Sequence, residues 1–214
     1  MGDSVGYTLG EGAPEGIPGV TGVVSRSLPG CGLLTSGGRP PAAVALGVPE
    51  TYDDCAVAVA DADAAGLSTG PEVVLLVAGA WERGDHERDG RTVGPGDAAW
   101  TSEIRGLLIE RIASLSAAGA HVAVWVDPCA GDPDKRRRQV WYRDEVVGPA
   151  VDASGTATVV DPSEVACAGE VPRTDIEGVG DPRPDDGQHW SVPGATWLWT
   201  TWLGPRLAAA AAGG

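Results

Sequence analysis

Ser4 stands within Gly2-Asp3-Ser4-Val5-Gly6 at the start of this chain, and Asp186-Gly187-Gln188-His189 stands near its end. A hydroxyl, an imidazole and a carboxylate are the parts of a nucleophilic relay. The imidazole takes the serine proton, while the carboxylate fixes its tautomer and steadies the imidazolium. The roles that follow are Ser4 as nucleophile, His189 as general base and Asp186 as its orienting partner. Each piece alone is weak, because Gly-Asp-Ser is a common turn tripeptide and Asp-Gly a common turn pair. Histidine scarcity sharpens the pairing. Of the three histidines, His121 opens an apolar strand and His86 sits in a polar hairpin, so His189 alone has a suitable carboxylate beside it. Asp185 is the competitor for that role, and the Asp-x-x-His spacing selects Asp186.

Such a relay needs a scaffold that brings residue 4 to residue 189. Apolar runs and helical stripes alternate along the chain, the pattern of an α/β protein with a parallel sheet. Val20–Leu28 reads as a strand ending in Pro29-Gly30-Cys31-Gly32, and Val73–Ala78 as a strand buried on both faces. Arg88-Asp89-Gly90-Arg91 reads as a hairpin turn. From Ala98 to Ala118, Ile104, Leu107, Leu108, Ile112 and Leu115 fall on one helical stripe, which Gly119 stops. His121–Val126 and Ala157–Val160 are the next strands, with a helix near Val140–Val147 between them and a closing helix over Pro193–Ala211. No repeat or linker divides the sequence, so one domain spanning residues 1–214 is expected.

The 32 glycines and 17 prolines imply many turns, and eight tryptophans replace the absent phenylalanine as aromatic bulk. A formal charge of −15 argues against a nucleic-acid partner, since phosphate binding needs a positive surface. Lys135-Arg136-Arg137-Arg138 is the one basic run and reads as a solvated helix face. Cys31, Cys55, Cys129 and Cys167 contain no Cys-x-x-Cys pair and have no histidine at zinc-ligand spacing, so no metal site is expected. Four cysteines allow three disulfide connectivities. Cys31–Cys55 and Cys129–Cys167 are favoured, because each would tie a loop after a strand to a neighbouring segment. Two bridges would mean an oxidising compartment, whereas four free thiols would fit the cytosol. No signal peptide or membrane span is visible in the sequence.

Gly-Asp-Ser followed far downstream by Asp-x-x-His resembles the SGNH (GDSL-type) hydrolase superfamily. Gly2-Asp3-Ser4-Val5-Gly6 also satisfies the G-x-S-x-G elbow of α/β-hydrolases. That fold, however, builds several strands before its elbow and draws its Asp and His from separate loops. The SGNH resemblance implies a three-layer α/β/α sandwich with a parallel, flavodoxin-like sheet whose first strand leads directly into Gly-Asp-Ser. Only Met1 precedes the motif here, so that strand is expected to be missing or truncated, with an upstream region absent from this sequence.

The resemblance also implies an oxyanion site made by the backbone N–H of Ser4, a glycine N–H matched by Gly30, and an asparagine amide. In the block Gly79-Ala80-Trp81-Glu82, Trp81 stands where the asparagine would be. Gly30 also reads simply as a tight-turn residue. Trp81 reads either as a wall of the substrate pocket, the favoured role, or as core, and Glu82 as a solvated or salt-bridged carboxylate. Pro-Gly-Cys-Gly-Leu-Leu, Gly-x-Trp-Glu and Asp-Gly-x-His together are similar to the extracytoplasmic SGNH domains fused to bacterial membrane acyltransferase-three proteins. That similarity implies transfer of an acyl group, usually acetyl, to cell-surface carbohydrate hydroxyls through an acyl-serine. The expected partners are an acyl donor, a carbohydrate acceptor and a membrane acyltransferase module in the same protein, with no cofactor required. The alternatives are a stand-alone secreted carbohydrate esterase or a non-catalytic glycan-binding domain with a vestigial triad.

Overall fold

Residues 1–34, 53–184 and 186–213 are described by the computed structural model of the chain. The competing carboxylate Asp185 lies outside the described residues. Asp3 begins the first helix, α1 (Ser4–Glu11): its backbone is extended and its Oδ1 accepts the Val5 N–H at 2.9 Å, capping an otherwise orphaned donor. After α2 (Asp53–Leu67) comes β1 (Val73–Leu76). Next is the hairpin of β2 (His86–Arg88) and β3 (Arg91–Val93). Asp89 and Gly90 both take positive φ at its tip, as the Asp-Gly reading anticipates.

The predicted helical stripe forms α3 (Ala98–Ser116), capped by Asp97 through Ala99 and Trp100 N–H groups. Ile104, Leu108, Ile112 and Leu115 are fully buried along it, and Leu107 is half-buried. Truncating one of those four to alanine would cost about 2–5 kcal/mol. β4 (His121–Trp125) follows, then α4 (Pro133–Trp141), a wider π-type stretch at Tyr142–Val147, α5 (Gly148–Ser154) and β5 (Ala157–Val160). The expected helix near Val140–Val147 is therefore the middle of a longer helical passage. The remaining elements are α6 (Ser163–Ala166), the two-residue ribbon of β6 (Cys167–Ala168) and β7 (Val171–Pro172), α7 (Val192–Leu198), a π-type turn at Trp199–Leu203 and α8 (Gly204–Gly213).

β1, β4 and β5 form a parallel three-stranded sheet in that order, with Val73 opposite His121 and Val122 opposite Ala157. The molecule is thus a mixed α/β protein. Successive side chains of a strand point to opposite faces, and two apolar clusters result. Val74, Leu76, Val122 and Val124 join Trp100 and the α3 stripe, whereas Val77, Ala123 and Trp125 join Val5 and Leu9 of α1 and Leu198 and Trp199.

One expected strand is not formed. Within Val20–Leu28 only Ser27 makes a bridge, parallel to Gly2. Gly2 bridges Val77 on its other side, and Met1 donates its terminal ammonium to the Leu75 carbonyl at 2.9 Å. Gly2 thus lies between the segment and β1, and among the described residues the rest of Val20–Leu28 has no ladder partner. A groove of about 430 Å³ opens there, with Val20, Val23 and Ser25 on one side and Val73 and Leu75 on the other.

Candidate active site

Ser4 is the first residue of α1, at the positive end of the helix dipole. The backbone around it leaves room only for glycine at two places. A Cβ on Gly2, whose φ is +147°, would sit 1.8 Å from the Val77 carbonyl oxygen. One on Gly6 would meet Ser27 Oγ at 2.6 Å. The glycines of Gly-x-Ser-x-Gly therefore seat the serine turn directly on β1 and the segment before Gly30.

From the other end of the chain, a tight loop delivers the imidazole. Asp186 Oδ1 accepts the backbone N–H groups of Gln188 at 2.8 Å and His189 at 2.9 Å. Its Oδ2 lies 2.6 Å from His189 Nδ1, and His189 Nε2 lies 2.8 Å from Ser4 Oγ. The three residues named from sequence spacing converge in one hydrogen-bonded line. The Trp190 N–H donates to Thr8 Oγ1 at 3.2 Å, fastening the loop to α1, and Ser191 caps α7. Hydrogen bonds from His189 and Gln188 hold the Asp186 carboxyl far below the ordinary carboxylate range. The Asp186 hydrogen bond raises the His189 pKa above 6.5, against the opposing effect of burial. Such an imidazole can accept a proton from Ser4, and the carboxyl beside it stays ionised.

Beneath Ser4 lies a buried group of which spacing did not reveal Arg83 and Asp127. Asp3 is 1% exposed, and its Oδ2 accepts the Ala80 N–H at 3.2 Å. Arg83 and Asp127, both nearly buried, form an ion pair, and Trp125 Nε1–H donates to Asp127 Oδ1 at 2.9 Å. Burial, then the nearby Asp127 and Glu82 charges, push the Asp3 pKa up to about 7. Asp127 follows the apolar strand β4, at the carboxyl end of a parallel sheet where sites of α/β proteins gather. That position was the available signal; Arg83 had none.

Gly30 is buried in the turn where the Cys31 N–H donates to the Leu28 carbonyl at 3.0 Å, with φ +84°. Trp81 is half-buried and packs against the α3 cluster. One expectation changes, and one residue gains an unexpected setting. Glu82 is fully buried rather than solvated, with Oε1 accepting the Leu33 and Leu34 N–H groups at 2.6 and 3.0 Å. His86 lies in the hairpin but is 1% exposed, stacked 4.6 Å from the Trp100 ring with Nε2 at 3.0 Å from the Trp81 carbonyl. Its residue is polar; its surroundings are aromatic.

The favoured disulfides are both present: Cys31–Cys55 with Cα atoms 5.5 Å apart, and Cys129–Cys167 at 6.1 Å. Such bridges fit an oxidising, extracytoplasmic setting. The second is linked to the imidazole loop by buried Arg183, which donates to the Cys129 and Ala166 carbonyls and lies 5.3 Å over the Trp190 ring. In the basic run Arg137 and Arg138 form ion pairs with Asp134, Arg138 with Asp85 and Arg136 with Glu170. Among the described residues no cluster of His, Cys, Asp and Glu could hold a metal ion, and no helix is long and apolar enough to cross a membrane. No protein-family model matches this chain, and no curated protein matches it in sequence.

Proposed function

We propose that this chain is an SGNH-type serine enzyme that moves an acyl group, acetyl by preference, to or from carbohydrate hydroxyls of the cell surface. The observation that carries the reading is the line from Ser4 Oγ through His189 to Asp186, at 2.8 and 2.6 Å. The two apolar clusters on opposite faces of the sheet support the finer architecture, a three-layer α/β/α sandwich. The two disulfides support an extracytoplasmic site of action.

In this mechanism His189 Nε2 removes the Ser4 proton as Oγ attacks the acyl carbonyl. The tetrahedral oxyanion is stabilised by the backbone N–H groups of Ser4 and Gly30, the first strengthened by the α1 dipole. Protonated His189, held by ionised Asp186, gives its proton to the leaving oxygen, and an acyl-serine remains. A sugar hydroxyl then attacks, with His189 again as base, and the acyl group passes to the sugar; water in its place completes a hydrolysis. Trp81 stands where an asparagine amide would be the third oxyanion donor, and removing one such donor typically costs about 2.7–4 kcal/mol. This suits an enzyme that transfers from an activated donor, such as one presented by a membrane acyltransferase module, better than a fast general esterase.

The test is turnover of p-nitrophenyl acetate, with and without an oligosaccharide acceptor, by the purified protein and by Ser4→Ala. We expect the variant to lose at least about 10⁴-fold in kcat, and acetylated sugar to form only with intact Ser4. Equal turnover by the two proteins would refute the proposal.

A further inference from the structure

Glu82 is a fully buried carboxylate that the mechanism above does not use. It lies three residues beyond Gly79, in the block that follows β1, and its carbonyl accepts the Trp100 Nε1–H at 3.1 Å. The backbone of Glu82 is therefore fixed to α3 independently of its side chain. That side chain crosses to another segment: Oε1 takes the N–H groups of both Leu33 and Leu34, at 2.6 and 3.0 Å. Those residues continue the turn that carries Gly30. Gly32, between them and Gly30, lies so close that an added Cβ would be 2.5 Å from Oε1 and 2.8 Å from Oε2. Arg111 of α3 binds the Gly32 carbonyl at 3.1 Å, and the Cys31–Cys55 bridge holds the neighbouring position. A carboxyl oxygen taking two backbone donors in a dry site is a strong, directional link.

We infer that Glu82 is a positioning residue for the oxyanion site, its carboxylate locking the Gly30–Leu34 loop so that the Gly30 N–H is held where the oxyanion forms. The inference rests on the proposed role of Gly30 as a donor. It gives the Gly79–Glu82 block a part in catalysis although Trp81 replaces the asparagine. The block sets the second donor in place instead of contributing a third. Donor placement affects the transition state more than substrate binding, so the signature is a loss in kcat with KM nearly unchanged.

The experiment compares Glu82→Ala, Glu82→Gln, Gly32→Ala and Ser4→Ala with the unaltered protein, by thermal melting and by kcat and KM on p-nitrophenyl acetate. Gly32→Ala presses on the carboxylate from the loop side and leaves Glu82 itself intact. We expect Glu82→Ala and Gly32→Ala to lose about a hundredfold in kcat, the scale of a roughly 1 Å misplacement, with KM changed less than about threefold. Glu82→Gln, whose amide oxygen can still accept both N–H groups, should keep most of the turnover. If Glu82→Ala does not fold, Gly32→Ala and Glu82→Gln decide. Folded variants with unchanged kcat, a loss confined to KM, or a glutamine variant as impaired as Gly32→Ala would overturn the inference while Ser4→Ala remains inactive. Full turnover by Ser4→Ala would overturn the site reading itself, and this inference with it.

Discussion

Two aspartates flank Ser4, and their surroundings drive them in opposite directions. Asp186 is about two-fifths exposed and accepts hydrogen bonds from His189 and from two backbone N–H groups, so its carboxyl is held far below the ordinary range. Asp3 is buried beside the Asp127 and Glu82 charges, and its pKa rises to about 7 even though it too accepts two backbone N–H groups. Equal numbers of backbone hydrogen bonds thus do not decide the charge state; desolvation and like charge outweigh them at Asp3. In the proposed mechanism the exposed side is the one that reacts. The buried side is built to hold Ser4 still.

That division predicts that variants on the two sides fail differently. Asp186→Asn should lose on the order of 10⁴-fold in kcat, because the amide favours the wrong imidazole tautomer. Its melting temperature should hardly move, since the residue is substantially exposed. Steady-state kinetics and calorimetry on one sample check both halves. Arg83→Met should do the reverse. It leaves Asp127 buried without its ion-pair partner, a loss of about 3–5 kcal/mol and roughly 10 °C in Tm. A variant that melts normally yet has lost its catalytic rate would assign Arg83 to the chemistry and erase the division.

Next in size is the bridge behind the imidazole loop. Replacing Cys129 and Cys167 together by serine opens a link between residues 38 apart, with an expected cost of about 2–4 kcal/mol in denaturant unfolding. Because Arg183 joins that corner to Trp190, activity at temperatures below the melt should also fall modestly. Unaltered activity would confine the bridge to a stabilising role.

The site was legible in the sequence where chemistry is local. Asp186 and His189 are three residues apart on one loop, and the scarcity of histidines left few other pairings. Strands buried on both faces, the α3 stripe and the Asp-Gly hairpin likewise announce themselves through nearest-neighbour patterns. The floor of the site did not. Arg83 and Asp127 come from separated segments, and only the folded sheet brings them beneath Asp3. Glu82 misled for a related reason: polar residue type suggested solvent or a salt bridge, while its hydrogen-bond partners sit on a distant segment. Val20–Leu28 carried a strand-like composition, yet pairing is a property of two segments, and among the described residues only Gly2 bridges it.

The remaining expected effects are in pH dependence. A folded Asp3 that keeps its proton up to about 7, where the unfolded chain releases it near 3.8, makes stability fall as pH rises through that window. Asp186 acts oppositely: its contribution is complete above 3.8 and is lost as pH falls further. Between about pH 4.5 and 6 the Asp3 effect should dominate the difference between the unaltered protein and Asp3→Asn. Tm of the former should decline more steeply with pH; equal slopes would place Asp3 in a wetter setting than its burial suggests. The acid limb of kcat/KM should have its midpoint above 6.5, because turnover requires neutral His189 and its pKa is raised.

The central claim, that Ser4 forms a covalent acyl intermediate activated by His189, is tested most directly by intact-mass spectrometry of the protein after exposure to a fluorophosphonate. The account predicts one adduct, mapped to the peptide containing Ser4, absent from Ser4→Ala and formed far more slowly by His189→Ala. No adduct on the folded protein, or an adduct on a different residue that persists in Ser4→Ala, would contradict it.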